Sequence, residues 1–366
     1  MFEERINEAE RQVLIALIEL QEPVETPNNN FYTFYPANLE AAAAYFRSLR
    51  EDWSAAYASL SARGLLAAAP GGWRLTGAGA EFARRERLDH PPIWYWYREF
   101  FPLAARSRAY QCFCTQLYEV DLQQAGFSDR KQIDDLVARG ALGAQTRLLD
   151  LGCGLGGVAE YISDATGACA WGLDYTPEAV RLAKERTAAK RARLDFYEGN
   201  LDHLEAFDRK FDTLLSIDSI YMPNQLSETL LNMKTLLEPG GQMLIFYSCF
   251  VFDPNAPREW LEADRSPLAQ ALQDLGMAYR AWDYTEDLFH LMRRKRKLAL
   301  AMQAEFAAEG ADLLYDFLYN ESDGGEGPFE GERWNISRYL YRVTPARGTR
   351  AVWQVYEPRR AHKLHR

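Results

Sequence analysis

Short apolar runs alternate with stretches of helical periodicity over the middle of the chain. Five of these runs are predicted as strands: Leu148–Leu151, Cys169–Asp174, Leu194–Gly199, Phe211–Asp218 and Gln242–Tyr247. Their nearly continuous apolar character is typical of strands that are covered on both faces. Because predicted helices separate the runs, the pattern indicates an α/β fold with a doubly wound parallel sheet.

A glycine turn follows the first of these strands. Gly152, Gly154 and Gly157 fit the GxGxxG pattern of dinucleotide-binding folds, whereas Gly152, Gly154 and Gly156 fit an acid-x-GxGxG pattern that begins at Asp150. Glycine lets the backbone turn where a Cβ would collide with a bound ligand. A nucleotide-like ligand is therefore expected at residue 152, and the turn alone leaves its class open.

A second acid ends the next strand. Asp174 occupies the position at which a carboxylate can accept hydrogen bonds from both ribose hydroxyls. Thr176 and Pro177 then open a helix, as N-cap and first helical residue. Asp174 and the adjacent Tyr175 are therefore expected beside the cofactor.

These stretches, in this order, resemble the class I S-adenosylmethionine (SAM)-dependent methyltransferases over about residues 107–250. The resemblance implies that Asp150 and the glycines form the first motif, that Asp174 binds the ribose, and that Asn200 and Leu201 contact the adenine. Residue 200 departs from the family, which commonly has an acid there. The implied cofactor-binding residues are Asp150, Gly152, Gly154, Gly156, Asp174, Tyr175, Asn200, Leu201, Asp218 and Tyr110.

The end of the chain favours the same family. Glu332–Thr344 and Arg350–Glu357 are predicted as two strands of a closing antiparallel hairpin, which the family's sheet carries. A dinucleotide oxidoreductase would need a second βαβ half or a separate catalytic domain, and no such repeat is visible. We therefore predict a Rossmann-like sheet with a C-terminal antiparallel hairpin.

Composition excludes several other classes. A chain of 366 residues with 48% hydrophobic content can bury a large core. No apolar run approaches the roughly 20 residues of a membrane span, and the first residues lack the apolar centre of a signal peptide. Five cysteines without a CxxC pair indicate reduced thiols, a cytoplasmic location and no metal site. The net charge of −10 disfavours a nucleic acid partner.

Residues 1–90 are predicted to form a separate, mainly helical domain that resembles a winged helix. It contains nine Lys or Arg against thirteen Asp or Glu, and Trp53–Leu65, the helix that would enter a DNA groove, has Arg63 as its basic residue. A DNA-binding role is therefore disfavoured. By resemblance, we expect this domain to form a homodimer interface or to cover the active site.

Two further segments are expected around the acceptor. Residues 91–140 are predicted as an aromatic linker followed by a helical lid, with Trp96 and Tyr97 as candidate acceptor contacts and Tyr110 as a candidate cofactor contact. Residues 141–366 form the SAM-binding domain, interrupted at 250–331 by a helical cap insertion rich in aromatic residues, including Trp282. Because aromatic faces attract cations, such a cage suits an acceptor that carries or develops positive charge.

The catalytic candidates follow the fourth strand and lie in the insertion. Tyr221 and Tyr247 lie at strand ends, and His290 is an alternative base. We therefore predict a SAM-dependent methyltransferase of a small-molecule acceptor, with N-methylation ahead of C- or O-methylation of a natural-product or prenyl-type substrate. A nicotinamide oxidoreductase and a DNA-binding regulator remain the alternatives from other classes.

Overall fold

The computed structural model describes residues 6–22, 36–207, 209–251, 255–323, 335–345 and 355–357. The chain divides into two compact units, residues 1–100 and 101–366. No helix in the described ranges is long and apolar enough to cross a membrane.

In its described residues, the first unit contains helices and a small hairpin. Its elements are α1 (Glu8–Gln21), α2 (Leu39–Ala43) with a 3-10 turn (Ala44–Leu49), α3 (Ser54–Ala62), β1 (Leu66–Ala69), β2 (Gly72–Leu75), α4 (Gly77–Asp89) and the start of α5 (Pro92–Arg106). β1 and β2 pair in antiparallel orientation. The buried amide of Gln12 donates to the carbonyl of Leu49 at 2.7 Å and accepts from the indole N–H of Trp53 at 3.0 Å, which ties α1 to the start of α3.

The aromatic run predicted as a linker is helical, because it forms the first turns of α5. Pro92 is the first residue of this helix, a position where the missing N–H of proline has no cost. The helix continues past the boundary of the first unit and ends at Arg106.

Within the part of the chain that the structure describes, the second unit is built on a sheet of eight strands with helices on both faces. Its strands are β3 (Arg147–Leu151), β4 (Cys169–Asp174), β5 (Leu194–Glu198), β6 (Phe211–Ile217), β7 (Leu237–Phe250), β8 (Met277–Asp283), β9 (Ile336–Pro345) and β10 (Val355–Glu357). Its helices are α6 (Arg108–Tyr118), α7 (Arg130–Gly140), α8 (Gly157–Thr166), α9 (Pro177–Arg186), α10 (Leu226–Thr235), α11 (Pro267–Asp274), α12 (Thr285–Ala301), α13 (Gln303–Ala308) and α14 (Asp312–Asn320), with 3-10 turns at Ala188–Lys190, Leu201–Ala206 and Arg258–Leu261.

The strand order is β10-β8-β9-β7-β6-β3-β4-β5. β3 to β7 run parallel to one another, and β9 is antiparallel to both β7 and β8. The α/β fold and its mostly parallel sheet agree with the prediction. The carboxyl ends of β3, β4, β6 and β7 meet at one edge, where ligands bind in folds of this type.

The predicted closing hairpin is wrong in its pairing. β9 pairs with β8, which comes earlier in the chain, and β10 runs parallel to β8. Residues 346–354, which include the predicted turn, lie outside the described residues. The predicted insertion 250–331 is consequently not a purely helical cap, because β8 belongs to the sheet. In β8, Met277, Tyr279 and Ala281 are buried and alternate with half-buried residues, which is the period of a strand.

Candidate functional site

The turn between β3 and α8 has the backbone that its glycines predict. Gly152, Gly154 and Gly156 have φ angles of +76°, +50° and +74°, in the left-handed region that glycine adopts readily. The backbone then enters α8 at Gly157. The turn therefore requires glycine for its conformation before any ligand is considered.

Protein side chains also fill the space beside these glycines. A Cβ on Gly152 would lie 2.5 Å from the Cβ of Ser219, and a Cβ on Gly154 would lie 2.9 Å from the ring of Phe101. A Cβ on Gly156 would lie 2.4 Å from the ring of Phe196. The sequence interpretation was that the glycines keep space for a ligand. In the structure, packing against these protein side chains also requires glycine at the three positions. Phe101 was not predicted at this turn.

Two buried carboxylates lie where β3 and β4 run side by side. Asp174, at the end of β4, accepts hydrogen bonds from the N–H of Gly154 at 2.8 Å and from the N–H of Thr176 at 2.9 Å. Each carboxylate oxygen of Asp174 therefore accepts one backbone N–H and keeps a lone pair for a ligand hydroxyl. These bonds also tie the glycine turn to the neighbouring strand.

Asp150 has a different environment. Within the described ranges, no group donates a hydrogen bond to its carboxylate, although the residue is buried. Burial, together with the charge of Asp174, raises the pKa of Asp150 to about 7. A buried carboxylate without a partner is unfavourable, and a cationic ligand group would satisfy it.

Asn200 and Leu201 lie after β5, where the resemblance places the adenine contact. The side-chain oxygen of Asn200 accepts from the N–H of Asp202 at 3.0 Å and caps the short 3-10 turn that follows. The carboxylate of Asp202 in turn holds the backbone and the side-chain amide of Asn224 at 2.9 and 2.7 Å. Leu201 is half-buried against the core, and Tyr175, directly after Asp174, is also half-buried. Their contact with adenine stays a prediction.

Asp218, after β6, forms a buried ion pair that the sequence did not predict. Its carboxylate accepts from the guanidinium of Arg338 at 2.5 and 3.1 Å and from the N–H of Phe127 at 2.9 Å. Its φ of +56° is uncommon for a residue other than glycine. Asp218 therefore connects this edge of the sheet with the segment 119–129, which joins α6 to α7.

Arg338 is fully buried on β9 and uses all five of its N–H donors. Besides Asp218, its acceptors are the side chains of Gln132 at 2.9 Å, Ser248 at 2.7 Å and Ser128 at 2.6 Å. Removing one partner of a buried ion pair typically costs about 3–5 kcal/mol. A basic residue within an apolar strand was the one sequence signal for this network, because a buried cation needs an acidic partner.

Tyr221, which follows β6, and Tyr247, which is buried within β7, lie close together. Their ring centroids are 6.2 Å apart, and Tyr339 and Tyr341 belong to the same cluster on this face of the sheet. Burial raises the pKa of Tyr247 well above its usual range. Tyr247 therefore stays a neutral phenol, and contact of either ring with an acceptor stays a prediction.

The structure does not bring Trp282 or His290 to this pair. Trp282 packs in the core on the opposite face of the sheet, where the guanidinium carbons of Arg139 and Arg280 lie 4.5 and 5.0 Å from the centroid of its ring. The side chain of His290 is 60% exposed on α12 and lies 3.6 Å from Glu286.

The aromatic candidates before residue 119 differ in their surroundings. Tyr110 is fully buried in α6, and its hydroxyl donates to the carbonyl of Gln124 at 2.9 Å, so it contacts the segment 119–129. Trp96 and Tyr97 belong to the first unit, where the ring of Trp96 stacks on Phe100 at 4.7 Å. Roles of these three residues in ligand binding stay predictions.

In a comparison with known proteins, residues 148–241 match a family model described as a methyltransferase domain. Phosphoethanolamine N-methyltransferase 1 of Triticum aestivum is 26% identical over 206 residues, which are 53% of this chain and 40% of that protein. Methyltransferase GfsG of Streptomyces halstedii is 29% identical over 127 residues, which are 34% of this chain and 44% of that protein. A probable phthiotriol/phenolphthiotriol dimycocerosates methyltransferase 2 of Mycobacterium ulcerans is 30% identical over 162 residues, which are 41% of this chain and 60% of that protein.

The chain thus spans less than half the length of the first two relatives. Among solved structures, phosphoethanolamine N-methyltransferase 2 of Haemonchus contortus, in complex with S-adenosyl-L-methionine, has a TM-score of 0.52 and 15% identity, over 68% of this chain and 59% of that one. At this identity the likeness concerns the fold. The match to the family model covers residues 148–241, and the fold of the second unit agrees with it.

Proposed function

We propose that this protein transfers a methyl group from S-adenosylmethionine to a small-molecule acceptor, with a nitrogen acceptor preferred over carbon or oxygen. The observation that carries the proposal is the buried pair Asp150 and Asp174 beside the glycine turn. One carboxylate is suited to a cationic group, and the other keeps lone pairs for ribose hydroxyls. SAM carries both kinds of group.

The proposed cofactor contacts follow from this arrangement. Asp150 would bind the amino group of the cofactor, Asp174 would bind the ribose, and the backbone of residues 152–156 would approach the cofactor closely. Asn200, Leu201 and Tyr175 complete the proposed set on the adenine side. When bound, SAM supplies a methyl group on a sulfonium, which is open to in-line displacement.

The chain itself contributes placement. Holding two reacting groups at about 3 Å in line can supply about 7–11 kcal/mol of a barrier. Tyr221 and Tyr247 would face the acceptor, and each ring face stabilises nearby positive charge by about 0.5–2 kcal/mol when water is excluded. This contribution is largest where charge develops on the acceptor.

The described side chains favour an acceptor that reacts without a general base close by. Asp218 is held by Arg338, so taking up a proton would break a buried ion pair. His290 points to solvent on α12. The free base of an amine attacks without a general base, whereas a hydroxyl needs one close by. The phosphoethanolamine N-methyltransferase relative supports the same choice, and C- or O-methylation remains the alternative.

The first unit is assigned a supporting role. Its described elements follow the order of three helices, a hairpin and a helix, which supports the proposal of a winged-helix-like domain, and its excess of acidic residues is poorly suited to phosphates. We assign it to homodimer formation or to covering the acceptor. A cytoplasmic location, suggested by five unpaired cysteines, belongs to the same proposal.

Thermal shift with SAM, NAD and duplex DNA tests the proposed function. We expect SAM to raise the melting temperature, because a ligand that binds the native state stabilises it. A metabolite screen with isotope-labelled SAM then identifies acceptors by the mass gain of one labelled methyl group. Stabilisation by NAD or by DNA in place of SAM would contradict the proposal.

A further inference from the structure

Arg338 lies at the meeting point of three parts of the second unit. We propose that Arg338 is a positioning residue for the cofactor site, which holds the segment 119–129 and the turn after β6 against the glycine turn. The inference rests on the proposed function, because SAM is the ligand whose binding it would support. The predicted site residues include neither Arg338 nor its partners Ser128 and Ser248.

One side of the network holds the segment 119–129. The hydroxyl of Ser128 accepts from Arg338 at 2.6 Å, and the N–H of Phe127 donates to Asp218 at 2.9 Å. Gly126 lies so close that a Cβ there would be 2.8 Å from the carboxylate of Asp218. The segment is therefore fixed at residues 126–128.

The same segment lies against the start of α8. A Cβ on Gly157, the first residue of α8, would lie 2.1 Å from the carbonyl oxygen of Leu122. The segment consequently contacts the helix that follows the glycine turn at one end and the Arg338 network at the other. Loosening residues 126–128 would release the segment from this helix.

The other side of the network sets the turn after β6. Asp218 has a left-handed backbone, and the pair with Arg338 fixes its side chain in that conformation. Ser219, the next residue, donates to the carbonyl of Leu151 at 2.6 Å and packs against Gly152. The ion pair therefore supports the wall of the glycine turn.

Arg338 acts through these neighbours. Each of its five N–H groups has a protein acceptor, and its side chain is fully buried. A guanidinium that is satisfied in this way keeps no donor for a ligand. Its effect on ligand binding must then be one of placement.

Ser128→Ala and Ser248→Ala form a matched pair for the test. Both hydroxyls are buried and accept from the same guanidinium, at 2.6 and 2.7 Å, but Ser128 belongs to the segment and Ser248 to β7. Hydrogen exchange of the ligand-free protein and calorimetry with SAM are measured for both. We expect faster exchange in residues 119–129 and SAM binding weakened about tenfold in Ser128→Ala, the scale of one bond to a charged group. Ser248→Ala should keep both within about twofold, although it loses an equivalent bond.

The arginine itself is tested by a graded series. SAM affinity should decrease from wild type to Arg338→Lys to Arg338→Met, because lysine keeps the charge with fewer and less directed donors. Arg342→Met is the control: Arg342 lies on the same face of β9, and it donates to the carbonyl of Arg139 at 3.1 Å, away from the segment. If Arg338→Met does not fold, the comparison of Ser128→Ala with Ser248→Ala tests the positioning role of Arg338.

Equal exchange and equal SAM affinity in the two serine variants would overturn the inference. If the wild-type protein does not bind SAM, the proposed function fails, and Arg338 is then judged on hydrogen exchange alone. Faster exchange confined to residues 119–129 in Ser128→Ala supports the positioning role in that case. A uniform increase in both variants contradicts it.

Discussion

The carboxylate of Asp150 lies within β3, and burial, followed by the charge of Asp174, raises its pKa to about 7. Because the pKa of Asp150 is higher in the folded protein than in the unfolded chain, protonation of its carboxylate stabilises the folded state. Its contribution is complete below the unfolded pKa of about 4 and is lost as the pH rises through about 7. The residue that we assign to a cationic ligand group therefore reduces the stability of the ligand-free protein at neutral pH.

Asp150→Asn should separate stability from binding. We expect a higher melting temperature at pH 7.5, because a buried charge is removed, and weaker SAM binding. Between pH 6 and 7.5 a free α-amino group is mostly protonated. In wild type, SAM affinity should therefore rise with pH in this range as Asp150 ionises, and this rise should be reduced in Asp150→Asn. Calorimetry at several pH values measures it, and the same pH dependence in both proteins would contradict the assignment.

Tyr221 offers a second test at the level of one residue. If its ring face stabilises charge on the acceptor, Tyr221→Phe should keep most of the activity. If its hydroxyl acts as base or hydrogen-bond donor, the loss should be about 100-fold or more. Tyr221→Ala should be severely impaired in both cases. Steady-state kinetics with an identified acceptor distinguish these results, and near-normal turnover in Tyr221→Ala would assign the residue to packing.

At the scale of elements, the glycine turn shows how backbone and packing combine. Gly154 has a φ of +50° and contacts the ring of Phe101, whereas Gly276 has a φ of +63° with no atom within 4 Å of an added Cβ. The first glycine is therefore required for two reasons and the second for one.

Gly154→Ala should consequently destabilise the protein more than Gly276→Ala. The left-handed conformation costs about 1–2 kcal/mol for a residue with a Cβ at either position. The contact with Phe101 adds to this cost only at Gly154. Thermal melts of both variants measure the difference, and Phe101→Ala should reduce it in a double-mutant cycle. Equal destabilisation by the two substitutions would show that Phe101 moves without cost.

The elements themselves were largely predictable. Strands β3 to β7 follow from apolar runs, because a strand covered on both faces leaves a continuous signal. β8 was missed because its sequence, Met-Ala-Tyr-Arg-Ala-Trp-Asp, contains no β-branched residue and stands between helical segments. The order of elements in the first unit follows from local periodicity in the same way.

Long-range contacts in the site were harder to predict. The pairing of Asp218 with Arg338 joins residues 120 positions apart, and the contact between Phe101 and Gly154 joins two different elements. Local patterns contain no information on which acid meets which base. Asp218 was accordingly assigned to the cofactor, whereas its carboxylate is used within the protein.

At the scale of the whole molecule, the two units differ in size and in the site residues that they contain. The first is the smaller unit, and the second contains the carboxylates, the glycine turn and the tyrosine pair. A role of the first unit in association or in acceptor binding leaves the cofactor residues unchanged. The two roles can therefore be tested by removing it.

A truncated chain that begins at Pro91 should keep measurable SAM affinity and lose either its oligomeric state or its activity. Light scattering with size-exclusion chromatography gives the mass of both proteins, and calorimetry gives their SAM affinity. A truncated protein with unchanged mass and unchanged turnover would contradict the proposed role. Sequence-specific, salt-sensitive DNA binding by the full chain would contradict it as well.

The position of β9 between β7 and β8 has a consequence for synthesis on the ribosome. β9 comes after both of its neighbours in the chain, so a nascent polypeptide has an open gap in its sheet until residue 345 has left the exit tunnel. Pairing over such sequence distances is slow and leaves strand edges exposed. Because Arg338 arrives with β9, the nascent chain should gain its affinity for SAM only at this late stage.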